Sequence, residues 1–251
     1  MQNSQRLRWV GACAAGLLLS AAVHAAPGWN ATGLTVAGPD AGKVVAALDA
    51  LFGSKVGRKM PGRVSLRANL ADGANPETHT VLVLTESAAK REAFVAELYA
   101  SEAWAEFLEE MSELSGTPGS TMRGVIAWNA GDRSDSDVVW INHYLSVSEP
   151  AVLLNAMKTY NDSPSGQAAP SQVHLSAIVA AGAGAPSHIV SIGFASEAEM
   201  EASIARQQAD PAYRVLVDTM LSVATYHGAN LQRELKAWGD ISVEDVTDTG
   251  N

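Results

Sequence analysis

The chain has 251 residues, 47% of them hydrophobic and 18% charged, which is too apolar for disorder and long enough for one large domain or two small ones. Aspartate and glutamate number 27 against 17 lysine and arginine, a formal charge of −10, so the protein's own field opposes any phosphate-lined partner. Nucleic acid is set aside as a partner, and composition alone names no substrate.

The first segment reads as an export signal. Arg6 and Arg8 form a short basic region, Val10 to Leu19 is an apolar and small-residue stretch, and Val23-His24-Ala25 places small or short residues where a signal peptidase cuts. Cutting after Ala26 would leave Pro27 at the new N-terminus, so cleavage is expected after Ala25. The run is shorter than the roughly 20 apolar residues of a membrane anchor, and no later stretch is long enough either, so no stable anchor is expected. Val10-Gly11-Ala12-Cys13 resembles a lipoprotein box, but Cys13 lies inside the apolar run rather than after it. Cleavage removes Arg6, Arg8 and the only cysteine, which leaves a more acidic chain with no thiol for disulfide, nucleophile or metal site. The expected location is the periplasm or the medium.

The remainder is a tandem repeat at a spacing near 109. Trp29–Val36 corresponds to Trp140–Val147, Pro61-Gly-Arg-Val64 to Pro170-Ser-Gln-Val173, and His79-Thr-Val81 to His188-Ile-Val190. Ser101-Glu-Ala-Trp104 corresponds to Asp210-Pro-Ala-Tyr213, and Ala127-Trp128 to Ala237-Trp238. The units are placed at residues 26–133 and 134–240, joined by a polar linker at 131–137 and followed by an acidic tail at 241–251.

In chain order, the first unit opens with a strand at Asn30–Val36. A helix from Asp40, as N-cap, to Phe52 follows, with Val44, Val45, Leu48, Leu51 and Phe52 at helical spacing. Val64, Leu66, Ala68 and Leu70 alternate with Ser65, Arg67 and Asn69 in a second strand. Asp72-Gly73 begins a turn, and Thr78–Leu84 is the third strand. Residues 87–114 form a broken helix that restarts at Ser101, and Met122–Trp128 closes the sheet. The second unit repeats this order, with Asp210 as N-cap, Pro211 in the first helical position, and Tyr226–Leu235 as its last strand. A βαββαβ order gives an antiparallel four-stranded sheet with both helices on one face. Two such units can place their bare sheet faces together.

Paired βαββαβ units with Ser-x-Ala-Trp (101–104) or Asp-Pro-Ala-Tyr (210–213) restarting the second helix resemble the dimeric α/β-barrel superfamily, which includes antibiotic-monooxygenase-like, EthD-like and NIPSNAP-like domains. The resemblance covers about residues 29–240. It implies an α+β fold of two ferredoxin-like repeats joined as a pseudo-dimeric barrel, whose cavity holds an aromatic, lipid-like or haem ligand. It transfers no catalytic residue to this chain, and one fold hosts many chemistries.

The residues themselves show no His-Glu-x-x-His, no glycine-rich phosphate loop and no Gly-x-Ser-x-Gly elbow, so no cofactor is evident. His79 and His188 are repeat equivalents at strand starts, read as histidines bonded to turn carbonyls or else as a paired metal or proton-transfer site. His143, between Ile141 and Leu145, reads as a core histidine, and Trp104 and Tyr213 as core aromatics. The candidate ligand-binding set is Arg67, Asn69, Arg123, Asn142, Tyr144, His174 and His227, polar or aromatic residues out of phase with the apolar ones on their strands. Either they line a small-molecule pocket, or they satisfy one another at an interface or face solvent. The expected function is binding of one apolar or aromatic small molecule between the two halves of a monomer or homodimer. The alternative is a cofactor-independent monooxygenase-like or haem-handling enzyme. Arg67 matches Ser176, Asn69 matches Ile178 and Ser65 matches His174, so any site is single and asymmetric. Intact-mass analysis of the exported protein should show loss of residues 1–25; a mass that retains them overturns the signal-peptide reading.

Overall fold

The computed structural model describes residues 27–114, 119–131, 137–168 and 172–239. The expected signal segment, Cys13, most of the linker and the acidic tail lie outside these residues. The strands are β1 (Gly28–Leu34), β2 (Gly62–Ala71), β3 (His79–Thr85), β4 (Thr121–Ala130), β5 (Val139–Val147), β6 (Val173–Ala180), β7 (His188–Phe194) and β8 (Ala224–Trp238). The helices are α1 (Ala41–Gly53), α2 (Ala88–Tyr99), α3 (Glu102–Leu114), α4 (Pro150–Asn161), α5 (Pro164–Gln167), α6 (Glu197–Ala209) and α7 (Pro211–Val223). Among the described residues no helix is long and apolar enough to cross a membrane.

All eight strands close into one antiparallel barrel in the order β1-β3-β2-β8-β5-β7-β6-β4. Each half contributes the same sheet, β4-β1-β3-β2 and β8-β5-β7-β6. The sheets face each other, as expected, and they are also hydrogen-bonded edge to edge through β2–β8 and β4–β6. Closure leaves no unpaired edge, and an eight-stranded barrel has an interior wide enough for side chains or one small ligand.

The helices lie outside and give each half its own core. Leu34, Val36, Val44, Leu48, Leu66 and Met111 pack in the first half, and Leu145, Leu153, Met157, Leu175, Val190 and Val223 in the second. A third cluster, built on Trp29, Leu84, Ile126 and Ile189, lies inside the barrel. The strands are therefore buried on both faces: Val64 and Leu66 are sealed under the helices, while Ser65 and Arg67 are buried towards the interior.

Several local expectations are met by the hydrogen bonds. Ser101 Oγ accepts from Trp104 N (3.2 Å) and Asp210 Oδ1 from Ala212 N (2.9 Å), so the repeat-equivalent caps restart both long helices. Others are corrected. Asp40 does not cap α1 with its side chain; residues 38–40 form a 3-10 turn, and the Asp40 carboxylate pairs with Lys43 at 2.8 Å. β1 starts at Gly28, so Trp29 sits within the strand. β8 follows α7 without a loop. Trp104 is half-buried, stacked on Tyr99 at 4.9 Å and tilted against Phe107 at 5.3 Å, and Tyr213 meets Tyr160 edge-on. Trp104→Ala should therefore cost about 1–3 kcal/mol, less than a fully buried tryptophan.

A first half expressed alone, residues 26–133, exposes the edges of β2 and β4 and the apolar inner face that the second half covers. It should dimerise or aggregate in sedimentation experiments. A stable soluble monomer would contradict the shared barrel.

Candidate functional site

The inner faces of the strands enclose a cavity of about 460 Å³. The odd-numbered residues of β1 (Trp29, Ala31, Gly33) and the even-numbered residues of β5 (Trp140, Asn142, Tyr144) line it, as strand alternation requires. Trp29, Trp140 and Gln172 are at least nine-tenths buried at one end. Exposed Asn75, Ser120, Gly184 and His227 mark the opposite end as the mouth.

The wall is two-sided. Across five contiguous strands runs a belt of neutral polar side chains. Ser191 donates to Asn142 Oδ1 (2.7 Å), and Asn142 Nδ2 donates to Asn230 Oδ1 (2.9 Å) and Gln232 Oε1 (3.1 Å). Gln232 Nε2 then donates to Asn69 Oδ1 (2.9 Å) and Thr80 Oγ1 (3.0 Å). A second arc, β4 and β1 with Leu82 and Leu84 of β3, is apolar: Met122, Ile126, Trp29, Ala31, Leu82 and Leu84. Deep in the cavity Arg67 lies over the Trp140 ring, Cζ to centroid 4.6 Å, and His174 stacks on the same ring at 5.9 Å and 16°. Among the described residues, the indole N–H of Trp29, that of Trp140 and both amide atoms of Gln172, all in the lining, have no hydrogen-bond partner.

Acidic groups stand at the mouth. Burial pushes the Asp72 carboxyl above its usual range, and the Glu77 charge adds to this, while hydrogen bonds from Asn75 and Asn230 act against it. Burial, reinforced by the charges of Asp72 and Glu77, pushes the Tyr144 phenol up to about 12, so it stays uncharged at physiological pH. Glu77 is held by Ser120 and Asn75.

Of the seven expected site residues, Arg67, Asn142, Tyr144, His174 and His227 line this one cavity, His227 at the exposed rim with Ser146 Oγ at 2.7 Å. Two do not. Arg123 is exposed, because Met122 and Ile126 take the inner positions of β4. Asn69 is spent in the wall: its Oδ1 accepts from Thr80 and Gln232, and its Nδ2 donates to the Glu77 carbonyl (2.9 Å). His79 and His188 are bonded not to turn carbonyls but to the preceding hydroxyls, Thr78 Oγ1 (2.9 Å) and Ser187 Oγ (2.8 Å). Burial lowers the pKa of both. His143 is half-buried, with Tyr226 OH at 3.2 Å. Sequence reasoning missed Trp29, Gln172, Asn230 and Gln232. Two signals pointed to them: Trp29 is the repeat counterpart of Trp140, and Asn230 and Gln232 alternate with Ala229 and Leu231.

Among the described residues there is no group of three or more metal-ligating side chains. Haem does not fit this interior either. The buried imidazole, His174, lies flat against Trp140 instead of presenting a nitrogen to an axial position, and the amide belt fills the adjoining wall.

No family model matches the chain, and no curated protein matches it by sequence. Solved structures do match in fold. A protein from Lactobacillus acidophilus assigned as a monooxygenase superposes with a TM-score of 0.59 at 10% identity, over 85% of this chain and 96% of its own. One from Fusobacterium nucleatum, assigned likewise, gives 0.60 at 8% identity, over 87% and 96%. An anthrone oxidase-like protein gives 0.57 at 13% identity, over 84% and 92%. Together with the barrel topology, these show the dimeric α/β-barrel fold.

The phenol pKa yields a test of the Tyr144 environment. A pKa raised above the unfolded value of about 10 adds no pH dependence below pH 10, and stability is lost as pH rises from about 10 to 12. Urea unfolding at pH 9 and pH 11.5 should show a loss that is smaller by about 1–2 kcal/mol in Tyr144→Phe than in the wild type. Equal losses would mean the phenol is not desolvated.

Proposed function

We propose that the chain, built on the dimeric α/β-barrel fold, binds one small planar aromatic molecule inside the barrel, and that it does so outside the cytoplasm. The observation that carries this reading is the two-sided interior. One arc is apolar and aromatic, and the other is a belt of uncharged hydrogen-bonding groups around about 460 Å³. Pockets of this size and makeup suit a drug-sized ligand, with apolar area supplying affinity and a few polar groups fixing orientation. The indoles of Trp29 and Trp140 supply flat surfaces for an aromatic ring. One chain closes the whole barrel, so a single copy holds the complete cavity. The export part rests on residues 6–25 alone.

A second reading has its own support. Oxidation of a bound hydroxyaromatic needs a proton acceptor beside it, and His174 is a buried imidazole of the cavity wall. Structures sharing the fold include an anthrone oxidase-like protein and two assigned as monooxygenases. Oxygen uptake with an anthrone, abolished in His174→Ala, would favour this reading over simple binding.

The binding reading is tested by native mass spectrometry and absorbance of the full chain recovered from the periplasm. A bound small molecule is expected, and Ser176→Trp, which fills the middle of the cavity, should remove it while the fold survives. Arg67→Ala or Tyr144→Phe should weaken the same ligand by about 1–3 kcal/mol. An unchanged ligand content in Ser176→Trp would place the site elsewhere.

A further inference from the structure

The deep ends of the two halves are built on one plan but filled differently. In the first half Leu84 of β3 lies between Trp29 of β1 and Arg63 of β2 in register. In the second half the repeat-equivalent residues are Gly193, Trp140 and Gln172. Gly193 pairs with Trp140, and its N–H donates to the Gln172 carbonyl at 2.9 Å. The first trio is complete: Leu84 is buried in the inner apolar cluster, and the Arg63 guanidinium is held by Glu234 at 2.6 Å. In the second trio the leucine side chain is missing, and the arginine has become a glutamine.

That glutamine is fully buried, lines the cavity, and has no partner for either its amide N–H groups or its amide oxygen. The N–H of Trp140 beside it is also unpartnered. A buried amide costs free energy unless its donors and acceptor are matched, so such a group in a folded protein calls for a partner supplied from outside the chain. The Gly193 backbone is ordinary; its missing side chain lets the Trp140 ring pack directly against it beside Gln172. A Cβ there would lie 2.9 Å from the Trp140 ring and 3.0 Å from an Asp137 carboxylate oxygen.

From this we infer that the deep end of the cavity at the Gln172 amide, beside Trp140, is its specificity subsite, and that it takes a neutral amide-like edge of the ligand. Such an edge, as in a lactam or carboxamide, carries a donor for the Gln172 oxygen and an acceptor for its N–H groups. The inference rests on the cavity-binding reading and adds the ligand's inner functional group.

The test uses the full chain and two ring-matched probes, 2-quinolinone, which has a lactam edge, and naphthalene, which does not. Binding is followed by ligand-observed NMR titration. The wild type should bind 2-quinolinone at least about tenfold more tightly than naphthalene, because a buried amide left unpaired penalises the analogue that lacks the edge. Gln172→Leu should bring the two affinities within about threefold. Gly193→Leu, whose side chain collides with the Trp140 ring and pushes it into the cavity, should weaken both. The melting temperature of unliganded Gln172→Leu should equal or exceed that of the wild type, since an unmatched amide has been removed; Gln172→Met serves if the leucine variant misfolds. Equal affinities of the two probes for the wild type, as an amide hydrated by water alone would give, or a preference that survives in Gln172→Leu, overturns the subsite and leaves the cavity reading standing. Failure of both probes to bind overturns both.

Discussion

Everything in this molecule depends on the closure of one hydrogen-bonded ring of strands. The edges of β2 and β8, and of β4 and β6, satisfy each other, and two sheets that would each expose an edge and a bare face become one wall. Closure fixes the interior at eight-strand width, and it forces helices to the outside and ligand-sized space to the inside. It also buries each strand on both faces. Ser65 and Arg67, on the inner face, are thus buried as well as Val64 and Leu66 on the helix-covered face.

Burying that much polar side chain is costly unless it is paired. The belt of paired side chains meets the cost with uncharged groups. Asn142 and Gln232 each use both ends of their amides, and Thr80 and Asn69 close the chain of bonds. A neutral network avoids the heavy desolvation of ions and fixes the wall rigidly, because each member's orientation depends on its neighbour's. The opposite arc, with Met122, Ile126 and Leu82, presents only van der Waals surface. A ligand inside therefore meets an orienting side and a purely apolar side.

The duplicated architecture makes departures from symmetry informative. Trp29 and Trp140 hold the same position in both halves, as do the Thr78–His79 and Ser187–His188 pairs. These belong to the scaffold. Arg67 and Ser176, Leu84 and Gly193, and Arg63 and Gln172 differ, and all but Gly193 line the cavity. At Gly193 the side chain is absent because the Trp140 ring packs where it would lie. The scaffold is pseudo-symmetric and the cavity is not, which is the pattern of a single site shared between two halves.

Much of this was legible in the order of residues. Repeat spacing gave the two units, strand and helix periodicities gave βαββαβ, and Ser101 and Asp210 marked the helix restarts, because these signals are local and depend on only a few neighbouring residues. Five of seven proposed cavity residues were legible as well, since polar residues out of phase with the apolar ones on a strand must face the other side. What the sequence could not settle is which side is inside when both are buried. Arg123 and Met122 are adjacent on β4, and only the barrel's register turns the arginine out and the methionine in. Likewise Asn69 has the right phase, but its bonds are consumed by Thr80, Gln232 and the Glu77 carbonyl, partners up to 163 positions away. Alternation along a strand is fixed by covalent geometry, and so the chain itself determines it. Which face encloses the cavity, and which polar groups there are already paired, is decided by strands meeting across the barrel.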